Sequence, residues 1–268
     1  MISPAKKMKI DTDTLEPKTL PVFLEQAQVL LGWLRQKDYG ELKAIWNCSD
    51  SIAAQNMERL ERMDLTGRLT PAVLSYEGIQ YQYMAPAVFE DGQWEYVEER
   101  VRILSGLYGI LRPLDGVTPY RLEMQAKAGP EGDLYAFWSR SLYDCLKKET
   151  DCIINLASRE YAVCVEKYLK EERGRGSAVP RYITCIFGEE KRDGKAGGNP
   201  VIQKGTFAKM ARGEMIRFAA ENRVEEPEGL KGFNRLGYRF RPEYSGEDVY
   251  VFCREKGRET PHDDCRAD

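Results

Sequence analysis

Residues 151–161 read Asp-Cys-Ile-Ile-Asn-Leu-Ala-Ser-Arg-Glu-Tyr. The apolar run Cys152-Ile153-Ile154 stops at polar Asn155, as a buried strand does, and Ser158 stands where a following helix needs its N-cap. A buried strand feeding directly into a helix is the repeating step of α/β architecture. In such sheets ligands gather at the carboxyl ends of strands, near helix N-termini whose partial positive charge suits anions. Asn155 and Ser158 are therefore candidate pocket residues. The alternative is that they only satisfy backbone groups at the junction.

Working outward, Arg181–Phe187 and Asp248–Cys253 are β-branched and aromatic and read as further strands. Amphipathic spacing predicts helices from about Pro21 to Arg35, from Asp50 or Ser51 to Met63, from Gln93 to Ser105 and from Tyr135 to Lys148. A glycine-rich, charged stretch over Glu189–Pro200 reads as an exposed loop or hairpin. No repeat or linker divides the chain. These elements predict a mixed α/β (α+β) fold, one compact domain over 1–254 with a central sheet flanked by helices. Residues 255–268 read as a charged, flexible tail.

Composition narrows the chemistry. Of 268 residues 42% are hydrophobic, enough for a core, and Lys+Arg 40 nearly balance Asp+Glu 43. A basic site must therefore be local. The one histidine, His262, lies in the tail, which leaves no imidazole for a nucleophile pair and too few for a histidine-based zinc or iron site. No metal site and no cofactor are expected. Seven cysteines (Cys48, Cys145, Cys152, Cys164, Cys185, Cys253, Cys265) show no C-x-x-C spacing, and reduced buried thiols in a cytoplasmic protein are the plain reading. No apolar run is long enough to cross a bilayer, so no membrane partner is expected.

Three further stretches carry polar groups in patterns suited to anions. Ile2-Ser3-Pro4-Ala5-Lys6-Lys7 reads as a strand end followed by a loop with ammoniums at its mouth. Leu104–Asp115 (LSGLYGILRPLD) carries Gly106 and Gly109 at a turn and then Arg112; backbone N–H groups at such a turn can cradle a phosphate. From Thr206 onward Phe207, Met210, Ala211, Met215 and Phe218 share a helical face, with Lys209 and Arg212 opposite. Ile216 falls on the basic side and Glu214 on the apolar side, which predicts a partly buried Glu214 with a raised pKa or an arginine partner.

The run Leu104–Met124 (LSGLYGILRPLDGVTPYRLEM) resembles the signature of the YaaA family of bacterial peroxide-stress proteins. Ile2-Ser-Pro-Ala-Lys6, Ser49-Asp50, Asp133-Leu-Tyr135, Phe137-Trp138, Asn155–Ser158, Glu160-Tyr161, Ala211-Arg-Gly213, Glu221-Asn-Arg223, Gly232-Phe-Asn234 and Gly237-Tyr238 match the family in order. The resemblance spans nearly the whole chain. Only Met1 precedes Ile2 where family members carry a few more apolar residues, which implies either a misassigned start codon or a shortened first strand.

The resemblance implies a cytosolic protein that limits oxidative damage during peroxide stress. It also implies binding of duplex or distorted DNA through a basic cleft and a helix-hairpin-helix-like element at Leu104–Arg112. On that reading Lys6, Lys7, Arg112, Arg121, Lys204, Lys209 and Arg212 meet phosphates, Gly106 and Gly109 offer backbone donors, and Tyr108 stacks on a bulged base. Recognition would be of shape and backbone, not base edges.

The second reading is an enzyme acting on a nucleotide or another small anionic substrate. Its pocket would combine the Ser3/Lys6 loop, Arg121 and Asn155–Tyr161, with Lys6, Glu123, Glu160 and Tyr161 as candidate acid–base groups. Convergence of Lys6 with Glu123 or Glu160 would favour this second reading; a continuous basic groove would favour DNA. A third reading, iron sequestration, lacks a carboxylate–histidine ligand pattern. Neither a particular activity nor an oligomeric state follows from the residues.

Overall fold

The computed structural model describes residues 1–190 and 201–254. Residues 191–200, within the stretch expected as a loop, and 255–268, the expected tail with His262 and Cys265, lie outside the described residues. The architecture is mixed α/β, with parallel and antiparallel strand pairs among helices. The chain divides into two units, each assembled from two separate segments: Met1–Gly78 with Glu98–Arg181, and Ile79–Val97 with Tyr182 onward.

In the first unit the chain start is built into the sheet. Ile2 bridges Ile103 in parallel, its N–H donating to Arg102 and its carbonyl accepting from Leu104, both at 2.9 Å. On the other side the Met1 amino group donates to the Ile154 carbonyl, and Leu156 N–H returns a bond to Met1. Two residues thus serve as a strand between Ile103–Ser105 and Cys152–Asn155, and Ile2 is buried. The strand expected at 151–155 is present, and the helix Arg159–Gly174 follows it.

The helix expected from Pro21 runs Leu24–Arg35; of its apolar positions Ala27, Leu30, Leu31 and Leu34 are buried, while Phe23 and Leu24 at its start are half-buried. The helix Asp50–Arg62 also matches. Tyr135–Lys148 is two helices, Leu134–Trp138 and Ser141–Glu149, because Ser139 adopts φ 43° and breaks the run. A helix the periodicity did not predict, Tyr39–Trp46, is opened by a capping box in which Asp38 and Glu41 exchange side-chain and backbone bonds.

One expectation is overturned. The helix over Gln93–Ser105 ends at Arg100, and Ile103–Ser105 pairs antiparallel with Gly109–Leu111. Leu104–Arg112 is therefore a β-hairpin and not a helix-flanked turn. Pairing with Ile2 offers the β-branched Ile103 and its neighbours more than one further helical turn would. Inside the turn the Ser105 hydroxyl accepts from Tyr108 N–H at 2.9 Å, and the Trp138 indole donates to the Gly106 carbonyl at 3.0 Å. A Cβ on Gly106 would strike the Leu122 carbonyl, so the glycine is there for close packing.

The second unit contains the strand Arg181–Glu190 from Tyr182 on. Val249–Arg254 lies parallel to it, Tyr238–Phe240 lies antiparallel to Val249–Arg254, and Val201–Ile202 pairs with its far end. The strand reaches three residues beyond the predicted end at Phe187, into the start of the expected loop. Phe187 stacks on Phe252 at 5.3 Å and meets Phe233 and Tyr238 edge-on, forming an aromatic core. The helix Gly205–Glu221 packs on the short helix Ile79–Met84.

Candidate functional site

The carboxyl ends of the strands in the first unit bring three distant segments together. Ser3 follows Ile2, and Ser158 follows the strand Cys152–Asn155. The Ser3 hydroxyl accepts from the Ser158 backbone N–H at 2.7 Å and donates to the Ser158 hydroxyl at 3.1 Å. Ser158 holds the N-cap position, yet its side chain makes no capping bond to the helix. Its hydroxyl is committed to Ser3 instead. Asn155 is buried, and its side-chain Oδ1 accepts from Ala157 N–H at 2.9 Å, the backbone-satisfying role foreseen as the alternative.

A few residues on, Lys6 Nζ lies 2.7 Å from Glu123 Oε2, and Arg121 Nη2 lies 2.8 Å from Glu123 Oε1. One carboxylate thus bridges two cations of opposite accessibility: the Lys6 side chain is 63% exposed and that of Arg121 only 11%. Arg121 also reaches the Trp46 carbonyl at 3.5 Å, while its Nε is buried without a partner among the described residues.

Glu160 completes the group. Its carboxylate accepts from Gln125 N–H at 3.3 Å. Burial pushes its pKa up and the Glu123 charge adds to the effect, against the opposing influence of Gln125 and Lys6. Tyr161 is buried, and burial drives its pKa well above the usual tyrosine range, so at neutral pH it is a phenol and not a base. Lys6, Arg121, Glu123 and Glu160 thus make a compact set whose net charge is zero with Glu160 ionised and +1 with it protonated. Such a set can hold an anion and deliver or accept one proton.

Beneath it runs a chain of hydroxyls that the sequence pattern did not reveal. Tyr120 OH is 2.6 Å from Ser105 Oγ and 2.9 Å from Tyr76 OH, all buried, and burial lifts Tyr120 to about 12. Its only sequence signal is the adjacency of Tyr120 to Arg121.

The other DNA-contact candidates are placed less favourably. Gly106, Tyr108 and Gly109 are buried in the hairpin, and Tyr108 OH accepts from Thr118 N–H at 3.2 Å. The stacking role for Tyr108 and the backbone cradle at the two glycines are withdrawn for that reason. Lys7 pairs with Glu77 at 3.0 Å, Arg112 lies 3.8 Å from Glu149, and Lys204 pairs with buried Glu189 at 3.0 Å. Lys209 is exposed, with no ion pair or hydrogen bond among the described residues. Arg212 is half-buried, because Gly205–Glu221 buries Ala208, Ala211, Met215 and Ala219 and also Gly213, Ile216 and Ala220. Ile216 marks a second buried face, so of the two basic residues placed opposite the apolar one only Lys209 is exposed. Glu214 behaves as expected, its pKa raised by burial and restrained by Arg235 and Arg217.

Comparison with known proteins tests the family resemblance over the chain as a whole. The family model described as peroxide stress protein YaaA covers residues 1–244. The chain belongs to the YaaA family of peroxide stress proteins. Among curated relatives it is similar to a UPF0246 protein of Agathobacter rectalis, 53% identical over 257 residues that cover 95% of this chain and 98% of the relative. A UPF0246 protein of Lachnoclostridium phytofermentans is 49% identical over 95% of each chain, and one of Pediococcus pentosaceus is 46% identical over 96% and 98%. Among the described residues of this YaaA-family chain, no three histidine, cysteine, aspartate or glutamate side chains gather as a metal site would require, and no helix is long and apolar enough to cross a membrane.

Proposed function

We propose that this YaaA-family protein serves the peroxide-stress response by binding a nucleotide or another small anionic substrate at the Lys6–Arg121–Glu123–Glu160 cluster and carrying out proton transfer on it. One observation carries the reading: Lys6 and Arg121 converge on Glu123, and Glu160 lies close enough to feel both Lys6 and Glu123. Phosphate backbone contacts need exposed cations and have no use for a half-buried carboxyl of raised pKa. In this scheme the exposed ammonium of Lys6 swings from Glu123 to the anion, Arg121 holds Glu123 in place, and Glu160 is the acid–base group. The test is equilibrium binding of nucleoside mono-, di- and triphosphates to the full chain, with Lys6→Ala alongside. Saturable binding that Lys6→Ala weakens at least tenfold supports the reading; binding untouched by Lys6→Ala defeats it.

A second reading, DNA binding through backbone and shape, is favoured by the exposure of Lys7 and by exposed Lys209, which has no ion pair among the described residues. It would limit oxidative damage by shielding duplex or bulged DNA. Gel-shift titrations on duplex, bulged and single-stranded DNA test it with Lys7→Glu and Lys209→Glu. Each lysine that neutralises a phosphate should, on substitution, reduce the log–log salt slope by about one. A slope near zero for the unaltered chain would rule the reading out.

A further inference from the structure

The two cations on Glu123 differ in what they can do. Arg121, largely buried, holds Oε1 at 2.8 Å, while the exposed Lys6 ammonium meets Oε2 at 2.7 Å. The backbone that carries Lys6 is pinned on both sides. Ser3 is bonded to Ser158, and Lys7–Met8 pairs with Tyr76–Glu77. Ala5 packs so closely on Gly78 that a Cβ there would lie 2.9 Å from that of Ala5. Glu123 is thus anchored from behind by a guanidinium, and the Lys6 side chain is the part free to move. An exposed ion pair of this kind is weak enough to open.

The neighbouring pair, Lys7 and Glu77, is built differently. They are cross-strand register partners 3.0 Å apart, and no arginine bonds Glu77 among the described residues. Only at Lys6 does a clamped carboxylate wait in front of a mobile ammonium.

We propose that Glu123 is an internal competitor for the anion site: it occupies the Lys6 ammonium until a ligand takes that ammonium away, and the ligand group is a phosphate monoester rather than a carboxylate or a phosphodiester. The proposal rests on the anion-binding reading of the same cluster and adds to it the ligand class and a threshold for binding. A tethered carboxylate competes at an effective concentration that a free one must match, and the free one also loses translational freedom on binding. A ligand with the charge of Glu123 exchanges one ion pair for another and gains nothing. A monoester carries nearly two negative charges at neutral pH and three acceptor oxygens, so it outbids the carboxylate. A diester carries one charge.

Glu160 is placed to register the exchange. Gln125 N–H donates to its carboxylate at 3.3 Å, two residues beyond Glu123. Lys6 favours its charged form and Glu123 its neutral form. Moving Lys6 onto a dianion weakens the first influence and adds a second negative neighbour, so a proton from solvent settles on the Glu160 carboxylate as the ligand binds.

The experiment is thermal unfolding of the full chain at about pH 7.5 and matched ionic strength, titrated with methyl phosphate, dimethyl phosphate or acetate, reading the half-saturating concentration. Methyl phosphate should act at a concentration about tenfold below the two monoanions. Glu123→Gln should lower that concentration about fivefold, and Glu77→Gln, which removes a nearby charge without opening the Lys6 pair, should change it by less than about twofold. Should Glu123→Gln fail to fold, Glu123→Asp decides, since its shorter side chain loosens the hold on Lys6 and should shift binding in the same direction. Unchanged or weaker methyl phosphate binding in the Glu123 variant that folds overturns the proposal. So does equal tightening by Glu77→Gln, or equal binding of the three anions. Lys6→Ala distinguishes the levels of failure: where it weakens binding at least tenfold and Glu123→Gln does not tighten it, the anion site stands and the competitor falls. Where no saturable binding occurs, or Lys6→Ala leaves it untouched, the anion-site reading fails and the competitor with it.

Discussion

Arg121-Leu122-Glu123 and Arg212-Gly213-Glu214 are the same charge pattern, arginine two residues before glutamate, and the fold uses them in opposite ways. In the first unit the backbone at 121–123 is not helical, and residues two apart reach each other: Arg121 and Glu123 pair at 2.8 Å. In the second unit the pattern lies in the helix Gly205–Glu221, where residues two apart point about 200° away from each other. Glu214 feels the charges of Arg235 and Arg217, which themselves pair with Glu221, and Arg212 is left without a carboxylate among the described residues. Whether a buried arginine is neutralised within the chain is decided by the backbone beneath the motif, not by the motif.

The strongest way to break this contrast is to disturb the packing of the helix that carries Arg212. Gly213→Val should cost about 3 kcal/mol or prevent folding, since its side chain would meet the backbone of Gln80 and Met84, which cannot yield as a side-chain tip can. Gly205→Ala on the same helix meets nothing within 4 Å and should change stability by less than about 1 kcal/mol. Urea denaturation distinguishes them; equal effects would mean that helix propensity, not close approach, governs both positions.

The next largest effect should come from making Arg121 resemble Arg212. Glu123→Ala strands a largely buried guanidinium and releases Lys6, and a cost of about 2–3 kcal/mol is expected, below the full penalty of a wholly buried pair. Glu214→Ala should cost under about 1 kcal/mol, because it breaks no bond to Arg212. A large loss on Glu214→Ala would show that Arg212 depends on it after all.

Ser3→Ala is a smaller probe of the same unit. It removes the acceptor of the Ser158 N–H at 2.7 Å and should cost about 1 kcal/mol. A neutral result would mean that water replaces the hydroxyl without loss.

These cases show what could be read from residues alone. The strand at Cys152–Asn155, the stripe of Leu24–Arg35 and the helix from Gly205 were legible because burial imposes period 2 or 3.6 on a single segment. The convergence of Ser3 with Ser158 was foreseeable as a possibility, since both follow strands whose carboxyl ends collect ligands. The hairpin at Ile103–Leu111 was not legible, because its first strand is held on one side by Ile2, about a hundred residues earlier, as well as by Gly109–Leu111 on the other. Helix Tyr39–Trp46 had a usable signal, Asp38 three residues before Glu41, which periodicity over so short a segment does not register. The burial of Arg212 was hidden for a further reason: Ile216 looked like a flaw in a basic face, when it belonged to a second apolar one.

The smallest expected effect tests whether the two units treat a buried carboxyl alike. Burial raises the pKa of Glu160 in the first unit and Glu214 in the second above the ordinary value of 4.5. For an acid raised in this way the folded chain binds the proton more tightly than the unfolded one, so protonation stabilises the fold. That contribution is complete below about pH 4.5 and is lost as pH rises through the folded-state pKa. Glu160→Gln and Glu214→Gln should therefore each flatten the decline in stability from pH 4.5 upward, by less than about 1 kcal/mol for groups only partly buried. They should part company on ligand binding. Protonation of Glu160 shifts its cluster from zero to +1, so anion binding there strengthens as pH falls, and Glu160→Gln should erase that dependence while Glu214→Gln leaves it intact. If both variants flatten stability and neither alters the pH profile of binding, Glu160 is a buried structural carboxyl like Glu214, and the proton-transfer role fails with it.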